Sequence, residues 1–250
     1  MNLTINNLAA LAKSLNASPS ELKALIKLAS IEVLSSLGEG KYSIAMQNKN
    51  LTVSSQLPLE SQAKYWATLA NPKSALPELS SLVKMPSLLA QQNTHIRYEF
   101  DFLRELFSKP KPVERLKSSL LEQLAMSTSK EEFKELSTLL LSLQHGVVTL
   151  PMLFKGFYGV LQFKKRYNTK NKREHIEFYA AFELLGPVSG LISLEDELIE
   201  LTLNVAYAQT KEFLELHTRE FSHALTIALM PSIEPLAELN ENRSLLDIVI

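Results

Sequence analysis

The chain has 250 residues, 46% of them hydrophobic and 21% charged, with 26 Lys and Arg against 27 Asp and Glu. A chain with a formal charge of −1 has no global field to draw it onto nucleic acid or anionic lipid. It has no cysteine, which excludes disulfides, cysteine nucleophiles and thiolate metal sites and is compatible with a reducing cytoplasm.

The N-terminus lacks a charged stretch followed by an unbroken apolar run, so no cleaved secretory signal is expected. No stretch approaches the roughly 20 apolar residues that span a bilayer, so no membrane insertion is expected. Ile5, Leu8, Leu11, Ala12 and Leu15 keep helical spacing up to Asn16. Ser18-Pro19-Ser20-Glu21 then reads as a capping box with proline in the first turn. Leu22, Leu25, Ile26, Ala29, Val33, Leu34 and Leu37 form an apolar face that Gly38 ends. Residues 1–38 are predicted as a helical hairpin.

After Gly38 the period changes to two. Lys41 to Met46, Leu51 to Ser54 and Lys64 to Leu69 alternate, which predicts a small antiparallel β module over 41–70. Prolines then interrupt short apolar pieces, and 71–157 reads as a linker and helical region. Within it, Ser129 and Glu132 suggest a cap, Phe133, Leu136, Leu140 and Leu143 form a helical face, and a short helix is expected over 150–157.

From Gly159 the pattern is strand again. Strands are expected over 160–165, 175–182, 190–194 and 198–205, followed by a helix from Thr210 to Met230 and a last apolar strand at Leu245 to Ile250. The expected fold class is α+β. It has helical N-terminal and middle regions, the 41–70 β module, and a C-terminal antiparallel sheet over 158–250 packed with one helix.

Candidate chemistry is sparse. His217 and His223 lie six apart, not the three or four that place two ligands on one helical face, and no phosphate loop or nucleophile motif occurs. No metal, cofactor or catalytic residue is expected, and the chain reads as a non-enzyme. The run Lys164 to Arg173 has six positive charges in ten residues. A solvated hairpin turn is its simplest reading, with a protein partner through Lys164, Lys165 and Arg166 next and nucleic acid last. The piece Leu185-Gly186-Pro187-Val188-Ser189-Gly190 reads as a bend between two strands, exposing Leu185 and Val188 as a docking edge.

The stretch FYAAFELLGPVSGLISLEDELIELTLNVAYAQTKEFLELHTREFSHAL, residues 178–225, resembles the C-terminal domain of flagellar hook-length control proteins. The shared layout is a strand ending in Leu185-Gly186, a strand starting at Val188, an acidic turn, a third strand, and a helix with Leu214, Phe221 and Leu225. The resemblance implies a protein-binding switch of type III export that contacts the export-gate switch protein. The long Pro/Gln/Ser-rich ruler of that family has no counterpart here, so a switch or accessory factor is expected rather than a ruler. On this reading the chain is a cytoplasmic monomer, with export through the type III apparatus as an option, partner-binding at Leu185, Gly186, Pro187 and Val188, and no nucleic acid. The alternative is a cytoplasmic scaffold or adaptor with no flagellar role.

Overall fold

The computed structural model describes residues 28–46, 49–71, 73–90, 96–154, 157–168, 173–195, 198–216, 218 and 224–237. It begins with a strand where a helix is expected. In β1 (Ala29–Gly38), β-branched Ile31 and Val33 alternate with Ser30 and Glu32, and only 1% and 0% of their surface is exposed. A pleated strand turns alternate residues inward, and β-branched side chains suit it. Leu34 and Leu37, counted into the helical face, are 39% and 54% exposed. The first arm of the expected hairpin and its capping box lie outside the described residues.

β1 turns through Gly38, Glu39 and Gly40, all with positive φ, into β2 (Lys41–Met46), and β3 (Lys49–Ser55) follows. β4 (Lys64–Ala70) and β5 (Glu78–Lys84) complete a closed barrel in the order β1-β2-β3-β5-β4. β1 pairs β4, and β3 pairs β5 in parallel. The expected 41–70 module is thus three strands of five. The connectivity is that of the five-stranded Greek-key barrels on which oligonucleotide- and oligosaccharide-binding domains are built. The barrel has its own core of Ile31, Val33, Tyr42, Ile44, Val53, Tyr65, Ala67 and Leu79.

Beyond the short helix α1 (Ser87–Ala90), strand β6 (Tyr98–Glu99) leads into α2 (Phe100–Ser108), α3 (Pro112–Met126) and α4 (Lys130–Gln144). Ser129 caps α4 by accepting the Glu132 amide at 3.0 Å. Leu116, Leu120, Leu136 and Leu139 turn inward, each 1% exposed or less, and share a core with Leu150, Met152 and Val160.

The second unit is a seven-stranded sheet in the order β12-β11-β10-β9-β8-β7-β6. Its remaining strands are β7 (Val148–Phe154), β8 (Phe157–Asn168), β9 (Arg173–Phe182), β10 (Gly186–Glu195), β11 (Leu198–Val205) and β12 (Ala224–Leu229). The expected fold class needs four corrections. The N-terminal region is strand wherever it is described. The middle helices are an excursion between two strands of the C-terminal sheet, and the piece expected as a helix over 150–157 lies largely in β7. The sheet is not wholly antiparallel, because β6 and β12 are parallel to their neighbours. The expected helix from Thr210 to Met230 is only α5 (Ala208–Leu216), since β-branched Thr226 and Ile227 belong to β12. The last apolar strand, 245–250, lies outside the described residues, and a boundary at 158 cuts the β7–β8 hairpin.

The two units share a seam. The Trp66 indole, fully buried, donates to the Glu183 carbonyl at 3.2 Å, and the Tyr207 hydroxyl donates to the Ser81 carbonyl at 2.9 Å. Leu28, Trp66 and Met85 of the barrel side belong to the same core as Tyr179, Ala181 and Tyr207 of the sheet.

Candidate functional site

The sequence singles out Leu185 to Val188, and the structure places them at this seam. Glu183 to Leu185 form the turn between β9 and β10, and Gly186 opens β10 with φ +74°. A Cβ at Gly186 would lie 2.7 Å from the Tyr207 ring. Pro187 is buried, and Val188 is 6% exposed in a cluster with Ala180, Leu203 and Val205. The Thr210 hydroxyl, expected to cap a helix, instead donates to the Leu185 carbonyl at 2.6 Å. The expected exposed edge is therefore corrected: Val188 is core. Glycine is required at 186 because left-handed backbone and a ring meet there.

The basic run also looks different in three dimensions. Lys164, Lys165 and Arg166 lie near the end of β8, opposite Glu177, Ile176 and His175 of β9, and the last two basic side chains reach acidic residues diagonally. Lys165 pairs with Glu174 at 2.6 Å, Arg166 with Glu177 at 3.0 Å, and Lys164 stands across from Glu177 in register. This is a cross-strand ion-pair ladder, in which each exposed pair contributes about 0.2–1 kcal/mol. Two of the patch's basic side chains, Lys165 and Arg166, are thus paired within their own hairpin.

Barrels of this connectivity elsewhere bind single strands through aromatic platforms on the outer face of β2 and β3. Here all three barrel aromatics, Tyr42, Tyr65 and Trp66, are 7% exposed or less. The outward residues of β2 and β3 include Ser43, Ala45, Asn50 and Thr52, which offer no face for a base to stack on.

A concave site lies elsewhere, where sequence patterning gives no hint. A cleft of about 680 Å³ separates β5 from residues 231–237, a strap that leaves β12 and crosses the sheet. Its floor includes Val160, Gln162 and Tyr179, and Lys84 and Glu60 pair at 2.5 Å on its rim. Gln162, 1% exposed, holds the strap in place. Its Oε1 accepts the amides of Leu236 and Ala237 at 2.8 and 3.3 Å. Its Nε2 donates to the Ala237 carbonyl at 2.9 Å and the Thr149 hydroxyl at 3.3 Å. Pro231 and Pro235 read in sequence only as helix terminators. Their signal as parts of an extended crossing depends on a glutamine that bonds Ala237 from 75 positions away.

Burial raises the pKa of the Tyr179 and Tyr207 hydroxyls, keeping both neutral. It also raises that of Glu183 at the seam, against the opposing influence of Lys64. Among the described residues no three His, Cys, Asp or Glu side chains group as a metal site, and no helix is long and apolar enough to cross a membrane. No family model, no curated protein and no solved structure matches the chain.

Proposed function

We propose that the chain is a protein-binding component that recruits its partner through strand edges. One observation supports this reading above others. β12, reading ALTIAL, is the outermost strand of the seven-stranded sheet among the described residues and contains no charge and no proline. Leu229 at its end is 50% exposed, and Met230 beside it is 42% exposed. Edge strands are normally blunted by charge, proline or bulges, because unpaired main-chain groups template further pairing. An edge left plain over six residues suits strand addition by a partner.

The narrower reading is a cytoplasmic, monomeric, hook-length-control-like component of a flagellar or related type III export system. In it, the sheet acts on the cytoplasmic part of the export-gate switch protein. What supports it is the sequence resemblance of residues 178–216, with its strands on either side of Gly186, a third strand and the helix containing Leu214; Leu225, which the resemblance puts in that helix, lies in β12. Titration of the full chain with that purified partner tests both levels. Binding is expected, with Thr226→Lys and Leu229→Lys, both at exposed positions, weakening it about tenfold without lowering stability. Absence of binding by the unaltered chain retires the export reading. Binding indifferent to both variants retires β12 as the edge.

A further inference from the structure

Leu82, Val83, Lys84 and Met85 all line the cleft. Successive side chains of a strand face opposite ways, so a wall made of four consecutive residues presents its edge. β5 pairs β4 along its length, from Glu78 to Lys84. β3 meets β5 only at Glu78 and Leu79, so among the described strands none pairs the outer edge of residues 80–84. Met85 donates its amide to Lys64 at the end of β4, at 2.8 Å. By strand alternation, the Lys84 amide then points the other way, into the cleft. The facing wall is the strap, whose Pro231 and Pro235 have no amide hydrogen and cannot ladder with β5 along its length. Half-buried Leu82, Val83, Pro86 and Pro235 supply apolar surface on the two walls, while Val160, Met85 and Ile233 beneath them are 6% exposed or less. The volume lies within the range of about 300–1,000 Å³ that encloses a bound ligand.

We propose that this cleft takes an extended segment of another polypeptide, added as a strand to the outer edge of β5. The segment accepts the Lys84 amide and lays alternate apolar side chains against Leu82, Val83 and Pro235. Four extended residues span about 13 Å, the reach of the open edge. An extended polypeptide supplies both a main chain for the edge and apolar side chains for the walls, and the charged lining of Glu60, Lys84 and Glu234 carries a formal charge of only −1. The proposal rests on the protein-binding reading and gives it a second, internal site.

The test uses the full chain and a displayed library of linear peptides about twelve residues long. The enriched peptides are titrated, and amide exchange is followed residue by residue. The bound peptide is expected to slow exchange of the Lys84 amide about tenfold or more. Lys84→Pro, which removes that donor, should weaken binding about tenfold, while Lys84→Ala, which keeps it, should stay within about twofold. Ser232→Trp, at an exposed position of the strap wall, should block the cleft and decides the matter if Lys84→Pro does not fold. Peptides that bind without affecting the Lys84 amide, and equally well to these variants, overturn the cleft while leaving protein binding intact. No enrichment at all also overturns it. So does a Lys84 amide already protected in the free chain, which would mean that another part of the same chain or a second copy occupies the edge.

Discussion

One buried polar residue, Gln162, and one half-buried one, Glu183, govern how the strap and the seam respond to change. Gln162 satisfies two strap amides and one strap carbonyl, and no apolar residue can do so. Gln162→Leu fills similar space but strands those groups. It is expected to cost about 2–4 kcal/mol in urea unfolding, the scale of unsatisfied buried main-chain groups. Glu183 sits partly buried beside Trp66, and its folded pKa lies above the ordinary carboxylate value, with burial the larger cause and Lys64 opposing. Below the unfolded pKa the carboxyl is neutral in both states and costs nothing. As pH rises through the window from the unfolded to the folded pKa, the unfolded chain loses its proton first, and stability falls. Glu183→Gln should therefore match the parent chain in acid and become more stable than it toward neutral pH. Melting curves over pH 3.5 to 7.5, roughly centred on that window, check the sign. A variant less stable at neutral pH contradicts the burial argument.

At the scale of elements, β10 is fitted to its neighbours by a missing side chain. A Cβ at Gly190 would lie 2.0 Å from the Thr202 carbonyl oxygen and 2.8 Å from the Phe178 ring. Gly190→Ala must part β10 from β11 or displace the ring. A loss of about 3 kcal/mol or more is expected, far above the few tenths typical of a surface change. Sequence alone marked this glycine pair as structural but not what presses on it, because ring and carbonyl come from other strands. Strands β2, β3 and β4 and the central strands of the sheet were legible from strict alternation. β1 was not, because Ala29, Val33, Leu34 and Leu37 keep a helical spacing, while the inward alternation of the strand is confined to Ile31 and Val33. The preceding capping signal tipped the choice toward helix. β12 was missed for a related reason: Leu225 and Ala228 continue the helical face of α5, while pairing with β11 holds them extended. The cleft left no periodic trace, since its walls are a strand edge and an irregular strap brought together by packing.

For the whole molecule, the shared core of barrel and sheet predicts common unfolding. Trp66 is the chain's one tryptophan, and it sits at the seam. Its fluorescence and the far-ultraviolet dichroism of the strands should follow the same urea transition. Two separated midpoints would show that the units unfold independently. Residues 158–250 alone, expected from sequence to be a self-sufficient domain, lack β6 and β7 and the apolar layer of α2 to α4. That fragment should show no cooperative transition.

The strap also fixes an order of events during synthesis. The barrel's strands end at Lys84, and its core draws on no later residue, so it can close early on the nascent chain. The sheet face under the strap cannot be sealed until Ala237 has emerged and Gln162 has found it. At ordinary translation speed that interval is roughly 10–30 s. In the later part of it, a folded barrel is tethered to an incomplete sheet whose apolar face is open to whatever binds unfinished chains.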